Sequence, residues 1–380
     1  MRVLFDGNIF SMQATGGINC YFANVIDHLP QTVTPILTSK SRPRFHCPCN
    51  PRLESHVKEF RRGPRFMKKR RSWKYFRKLN ERLEFDLIHP TYYSLLSGQG
   101  IADCHRPIVL TVYDMIHERF PDLVDPRGKN AALKRQAIQA AQAIICISHS
   151  TKRDFLEIYP ESKDRVSVIH LATSIGLDTI DWKTEIPAQP FFLYVGSRAA
   201  YKNFDRLLDA MRSVVASSPD CCLCVVGGPF TKREREGVAE KGLSRNIVHF
   251  GYATDGQLAR LYNASIALVY PSQYEGFGIP LLEAMRCGTA VVAASTSSIP
   301  EVAGNAALLF DPNSTDELCE SLLDLLNNTA RRAAFVQRGS QRASQFSWQH
   351  TAEQTMEIYR ATANTDAVDC ADSPLARRSA

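Results

Sequence analysis

The sequence predicts an α/β protein of two doubly wound, parallel-sheet domains with a cleft between them, and three observations carry that prediction. Short β-rich runs alternate with helical segments along most of the chain. The alternation stops and restarts once, across a polar stretch without periodicity from about Ser174 to Gln189. A chain of 380 residues exceeds what one hydrophobic core usually serves, and 44% hydrophobic with 22% charged residues is a soluble globular balance. The organisation expected is a first domain over 1–173, a linker over 174–189 and a second domain over 190–345. A C-terminal helix over 346–362, free to cross back to the first domain, and a disordered tail over 363–380 complete it.

In the first domain the strand-like runs are RVLF (2–5), DLIHP (86–90), PIVLTVYD (107–114), AIICIS (143–148) and RVSVIH (165–170). The second offers FFLYVGS (191–197), CLCVVGG (222–228), IVHFGY (247–252), IALVYPS (266–272) and AVVAAS (290–295). Apolar residues at helical spacing over 203–216, 255–263 and 314–327 supply crossovers, so ligands are expected at the carboxyl ends of the strands. No convincing sequence repeat relates the halves. The closing helix is announced by Ser347 as N-cap and by Trp348, Ala352, Met356 and Tyr359 on one face.

Several classes are set aside on composition. Apolar runs such as AIICI (143–147) and VVAA (291–294) fall short of the ~20 residues that cross a bilayer. The opening MRVLFDG reads as a strand, because Asp6 and Gly7 interrupt the apolar core a secretory signal needs. Eleven cysteines form no regular framework, and Cys146, Cys221, Cys222 and Cys224 lie in apolar strand-like runs, as expected of reduced thiols in a cytoplasmic protein. His46, Cys47 and Cys49 lack a second ligand pair at zinc spacing, so no metal site is expected.

The most informative stretch is YPSQYEGFGIPLLEAMRCGTAVVAAS, which reads as strand, loop, helix and strand, with Pro280 in the first helical turn and Gly288 closing the helix. Gly276 and Gly278 allow close approach of a ligand to the backbone, and the amides of a helix start favour an anion. Glu275 and Glu283 bracket that position, and carboxylates accept hydrogen bonds from hydroxyls. Phosphate in the middle and hydroxyls at both ends describes a nucleotide sugar.

The E-x7-E spacing within EGFGIPLLEAMRCGTAVV resembles the signature of the family 4 (group 1) retaining glycosyltransferases, whose fold is GT-B. The resemblance runs from about residue 2 to 362, strongly in the second half and loosely over 38–85. It implies that Glu275 contacts hydroxyls of the donor sugar, that the amides of Gly276, Phe277 and Gly278 face the diphosphate, and that Glu283 holds the ribose hydroxyls. In LYVGSRAAYKN a strand ends at Gly196 and is followed by Arg198 and Lys202, two cations suited to a diphosphate. The family places an arginine and a lysine there to stabilise the departing nucleoside diphosphate. The glycine pair in VVGGP (225–229) mainly announces a turn.

In the first half, Gly16 and Gly17 precede a helix-like run, as in the family's loop near the donor phosphate and acceptor. The absence there of G-x-G-x-x-G argues against a dinucleotide. LTVYDMIHERFP delivers Tyr113, Asp114 and His117 to a strand end. Many relatives carry histidine where Tyr113 stands, so that role does not transfer, whereas Asp114 matches the pattern. Ser148, Ser150, Lys152 and Arg153 either line the ligand side or cap the helix they open.

Residues 61–78 contain ten arginines or lysines and no acid, so the net charge of +7 is local and the remainder is slightly acidic. Trp73, Tyr75 and Phe76 among these cations suit anionic lipid headgroups, making an anionic membrane the expected partner and nucleic acid not. The function expected is transfer of a hexose, mannose first, from GDP-mannose or a UDP-sugar to a hydroxyl of a glycan or lipid-linked acceptor, in the cytoplasm or at the inner membrane face. Asp114, Arg198, Lys202 and Glu275 are the expected catalytic residues; Gly16, Gly17, Gly196, Gly276, Phe277, Gly278 and Glu283 bind the donor, and no separate cofactor is expected. A nucleotide-sugar epimerase of similar shape and a non-catalytic polyanion- or nucleotide-binding module are the alternatives.

Overall fold

The computed structural model describes residues 1–13, 16–42 and 46–371, with side chains as far as 364. The chain divides into two units: Met1–Leu171 together with the C-terminal helix, and Ala172–Ser347.

The first unit holds strands β1 (Arg2–Asp6), β2 (Thr34–Ser39), β3 (Glu54–Val57), β4 (Leu87–Ile88), β5 (Val109–Val112), β6 (Ala143–Cys146) and β7 (Val166–Val168). They pair in parallel in the orders β3-β2-β1-β4 and β5-β6-β7, and a single bridge from Ile88 to Ile108 joins the two ladders. The direction of strand addition therefore reverses between β1 and β4. The sequence reading left out β2 and β3. Thr34–Ser39 carries Pro35 at its second position, which costs the ladder one donor, and Glu54–Val57 is a short, polar edge strand.

The second unit holds β8 (Phe191–Val195), β9 (Cys222–Val226), β10 (Ile247–Gly251), β11 (Ala267–Tyr270), β12 (Ala290–Ala294) and β13 (Leu308–Phe310), in the order β10-β9-β8-β11-β12-β13. Every pairing is parallel, and β8, β9, β11 and β12 are apolar on both faces, as strands covered on both sides must be. The order reverses between β8 and β11, which is where a doubly wound sheet opens to a ligand. Helices begin where local chemistry allows: Thr231 with Glu234 and Thr254 with Gln257 form capping boxes ahead of Lys232–Glu240 and Asp255–Ala264.

The C-terminal helix runs Trp348–Ala371, past the limit at 362 that the sequence suggested; residues 372–380 of the expected tail lie outside the described residues. Its Trp348 and Tyr359 are buried in the first unit, where Tyr359 packs on Phe5 and His89. The helix Arg65–Arg82 turns Ser72 and Phe76 inward and leaves Phe66 and Met67 exposed among its cations. No helix among the described residues is long and apolar enough to cross a membrane.

Candidate functional site

At the carboxyl ends of β8 and β11 the second unit gathers most of the polar groups that the sequence singled out. After β8 the chain passes Gly196, at φ +131, and makes a single turn over Ala200–Lys202 that closes on Asn203 in the left-handed region. That turn presents Lys202, whose Nζ donates to Glu275 Oε1 at 2.6 Å. Both side chains are largely buried, at 17% and 11% exposure, so little water screens the pair. The ammonium lies over the rings of Tyr201 and Tyr270, and the Tyr270 hydroxyl bonds to Glu275. Burial first, then the Glu275 charge, pushes the Tyr270 hydroxyl well above its ordinary range, so it remains a donor.

The loop bearing Glu275 is clamped by the segment after β12. Ser297, at φ +47, accepts from the Glu275 amide at 2.9 Å, and Ser298 Oγ donates to the carbonyls of Glu275 and Phe277 at 2.9 and 3.0 Å. Gln273 N donates to Tyr201 O at 2.8 Å, tying this loop to the turn that carries Lys202. The Phe277 ring is buried against Phe346. Gly278 caps the helix Ile279–Arg286 at φ +105, and a Cβ there would sit 3.0 Å from Leu281 Cδ1; a left-handed cap meeting a side chain is a place for glycine.

One turn into that helix, Glu283 accepts a hydrogen bond from Tyr262 at 2.8 Å. Glu283 keeps some exposed surface, yet its carboxyl is enclosed, and burial pushes its pKa up to about 7 against the opposing Tyr262 bond. At neutral pH it is divided between acid and carboxylate.

Arg198 does not meet Glu275. Its Nε donates to Glu234 Oε1 at 2.7 Å and its Nη2 to the carbonyls of Gly228 and Pro229, both at 2.9 Å. The guanidinium lies 4.4 Å from the centre of the Phe230 ring. Burial works against the Glu234 carboxylate, but hydrogen bonds from Arg198 and Thr231 outweigh it and hold its pKa below the usual range. Both cations assigned from sequence to an anion therefore carry a carboxylate partner. The physical reason was invisible locally: the partners lie 36 and 73 residues away. Glu234 and Tyr262 were missed, although the T-x-x-E box at Thr231 was a readable signal for the first.

In the first unit Gly16 caps the helix Gly17–Asp27 at φ +156, and a Cβ on it would lie 2.5 Å from Gln13 Nε2. The adjoining residues 14 and 15 lie outside the described residues. Asp114 follows β5 and accepts from Ile116 N at 3.1 Å. Beneath it the fully buried Lys134 donates to Asp114 O at 3.0 Å and Glu118 Oε2 at 2.7 Å, under the Tyr93 ring. His117 has its pKa lowered by burial and by Lys134, and its Nδ1 is buried with no hydrogen-bond partner among the described residues. Tyr113 is buried and donates to Thr91 O. Of the two readings for Ser148, it caps its helix, accepting from Thr151 N at 2.9 Å.

Residues 178–342 match the family described as Glycosyl transferases group 1, and residues 15–175 that described as Glycosyltransferase Family 4. The chain is 30% identical over 238 residues to O-antigen chain mannosyltransferase B of Escherichia coli, covering 59% of this chain and 62% of that protein. It is 29% identical to the serotype-specific mannosyltransferase WbdA of the same species, covering 70% of this chain but 34% of WbdA. Less than two thirds of either relative is thus spanned. To alpha-maltose-1-phosphate synthase of Mycobacterium tuberculosis it is 31% identical over 303 residues, 71% of this chain and 77% of that one. Among solved structures, sucrose-phosphate synthase of Thermosynechococcus elongatus superposes with a TM-score of 0.75 at 21% identity, covering 95% of this chain and 98% of that one. The Anabaena protein HepE in complex with UDP-glucose superposes at 0.72 and 19% identity, covering 95% and 100%. Likenesses at such identity establish the fold, which is GT-B, with two Rossmann-like units.

Proposed function

The chain belongs to the family 4, group 1 glycosyltransferases, and on that premise we propose that it moves a hexose from a nucleoside diphosphate sugar to a hydroxyl of a glycan or lipid-linked acceptor. The observation that carries this reading is the ion pair of Lys202 with Glu275 at the reversal point of the second sheet. A cation for the diphosphate and a carboxylate for sugar hydroxyls are held together there, on a loop fixed by Ser297 and Ser298. Glu283, anchored by Tyr262, receives the ribose hydroxyls.

In the reaction, the bond from the anomeric carbon to the phosphate oxygen breaks and the acceptor oxygen bonds to the same face. The acceptor proton passes to the departing diphosphate. Lys202 and Arg198 act by stabilising charge on that leaving group, and Asp114 on the acceptor side orients the hydroxyls. Mannose from GDP-mannose is the first choice, because two of the relatives are named mannosyltransferases, and UDP-sugars come next. The setting we propose is cell-surface polysaccharide synthesis, which the name O-antigen chain mannosyltransferase B of one relative supports, with the chain in the cytoplasm or at the inner membrane face.

The acceptor side of this reading includes a membrane contact. The helix Arg65–Arg82 exposes Phe66 at 65% and Met67 at 47% beside its arginines and lysines, a pairing of apolar and cationic groups suited to an anionic bilayer. Flotation with phosphatidylglycerol vesicles at low salt, against phosphatidylcholine vesicles, tests it; no difference between the two ends the membrane assignment.

The test of the donor assignment is heat stabilisation of the purified protein by GDP-mannose, UDP-glucose and ADP-glucose, since a ligand that binds only the folded state raises its stability. Stabilisation by one of them, lost in Glu283→Ala, is the expected result. No response to any of the three at millimolar concentration rejects the assignment.

A further inference from the structure

The side chain of Arg198 is largely buried, 6% of it being exposed, and its hydrogen bonds are unevenly distributed. The single Nε proton goes to Glu234 and the two Nη2 protons go to the carbonyls of Gly228 and Pro229. An arginine has five N–H donors, so the two on Nη1 remain. Nη1 is buried and has no hydrogen-bond partner among the described residues. A buried donor of a charged group left without an acceptor is costly, and such a group in a native fold asks for the acceptor it was built to meet.

The surroundings say where that acceptor comes from. Nη1 lies 3.7 Å from the place a Cβ on Gly227 would occupy. The same Cβ would come within 2.5 Å of Gly196 O, and Gly227 sits at φ +149, so no other residue type replaces it without rearrangement. A Cβ on Gly196 would meet nothing within 4 Å. Nη1 therefore lies beside Gly227, and the open space is on the side of Gly196, both glycines standing at the carboxyl ends of β9 and β8.

What keeps the guanidinium turned this way is Glu234. As the third residue of the helix Lys232–Glu240 its carboxylate is divided: Oε2 accepts from Thr231 N at 2.6 Å in the capping box and Oε1 accepts from Arg198 Nε at 2.7 Å. The box fixes the carboxylate, the carboxylate fixes Nε, and the Phe230 ring fixes the plane of the guanidinium. With Nε and both Nη2 protons engaged, only Nη1 has protons left to give to an anion.

We propose that Glu234 is a positioning residue: held by the Thr231 cap, it orients Arg198 so that Nη1 is presented across Gly196 and Gly227 to a phosphate oxygen of the donor's diphosphate. The proposal rests on the donor-site reading above and adds to it a residue outside the glycine loop and the E-x7-E helix. Glu234 touches no substrate. It acts through Arg198, and its removal changes how well the second phosphate is bound rather than how the nucleoside is bound.

The experiment is calorimetric titration of GDP, GMP, UDP and UMP into the wild type, Glu234→Ala, Glu234→Gln, Arg198→Ala and the double variant Arg198→Ala with Glu234→Ala. Glu234→Ala is expected to weaken the preferred nucleoside diphosphate by about tenfold or more while leaving the monophosphate within about twofold, the scale of one charge-assisted hydrogen bond. Glu234→Gln, which keeps an acceptor for Nε, is expected to lose less and to serve where the alanine variant does not fold. The double variant is expected to bind as Arg198→Ala does, because a residue acting through another adds nothing once that one is gone. If Glu234 only caps its helix, the unfolding temperature falls but the preference for diphosphate over monophosphate stays, and the proposal is overturned. Additive losses in the double variant overturn it too. Should Arg198→Ala leave the diphosphate preference intact, or no nucleotide bind at all, the donor-site reading fails, an outcome distinct from a failure at Glu234 alone.

Discussion

Each unit adds two strands to one side of its first strand and the rest to the other, yet the points where that order reverses are furnished in opposite ways. Between β1 and β4 the first unit buries groups shifted toward their neutral forms. His89 is pushed down to about 3 by burial, and Asp6, whose two oxygens share the Leu96 amide proton, is pushed up to about 7 by the same cause. The His89 ring bonds to Tyr359 through Nδ1 at 2.6 Å and to Thr111 through Nε2 at 2.8 Å, and aromatic rings surround it. Between β8 and β11 the second unit instead holds Lys202 and Glu275 as an ion pair with residual exposure. A reversal point closed by a buried neutral histidine bonded through both ring nitrogens is a structural joint. One that keeps charge at the edge of solvent is equipped to exchange partners with an anion and hydroxyls.

The contrast can be tested by taking each region apart. The largest effect is expected at Lys134 in the first unit. It is wholly buried, and Lys134→Met leaves Glu118 as a charge with no partner, for a loss of about 3–5 kcal/mol in chemical denaturation. Survival of that variant with wild-type stability would mean that Glu118 does not depend on Lys134 as its partner. Next comes the second unit's ion pair. Lys202→Ala should lower the rate of sugar transfer by roughly 10²–10³, as removal of a preorganised electrostatic group does, without comparable loss of stability. A rate within about threefold of wild type would take charge stabilisation away from Lys202.

Tyr359→Phe should behave in the opposite sense. It strips His89 Nδ1 of its partner, so about 1–3 kcal/mol of stability should go while transfer by the molecules still folded is unchanged. An equal fall in rate would show that the neutral network also has a part in the reaction.

The smallest effect concerns pH. Glu283 carries its proton up to about 7 in the fold instead of the ordinary 4.5, so the fold is favoured at low pH and loses that contribution as pH rises from about 4.5 through about 7. The carboxylate is the better acceptor for two ribose hydroxyls, so donor affinity should change the other way, rising with pH and levelling off above about 7. Glu283→Gln should flatten both profiles. A wild-type donor affinity independent of pH between 5 and 8 would remove Glu283 from the ribose contact.

How much of this was legible beforehand follows from distance along the chain. The loop and helix from Glu275 to Glu283 were readable because strand end, glycines, proline and both carboxylates lie in one short stretch. The repeated α/β alternation likewise gave both sheets, short of three strands: β2 with its proline, polar β3 and the three-residue β13. What did not show was pairing across the fold. Nothing near Arg198 points to Glu234, and nothing near Glu283 points to Tyr262, because each contact is made only once separate elements pack. The C-terminal helix was read short for a related reason: the segment after 362 lacks an apolar stripe, yet the backbone continues helical to Ala371.

The most direct measurement is amide hydrogen exchange of the wild type with and without a saturating nucleoside diphosphate, GDP first and UDP second. The account predicts slowed exchange over residues 196–203 and 270–286, at the carboxyl ends of β8 and β11, with residues 87–96 around His89 unchanged. Protection confined to the first unit, or absent from both, would contradict the assignment of the donor site to the second reversal point.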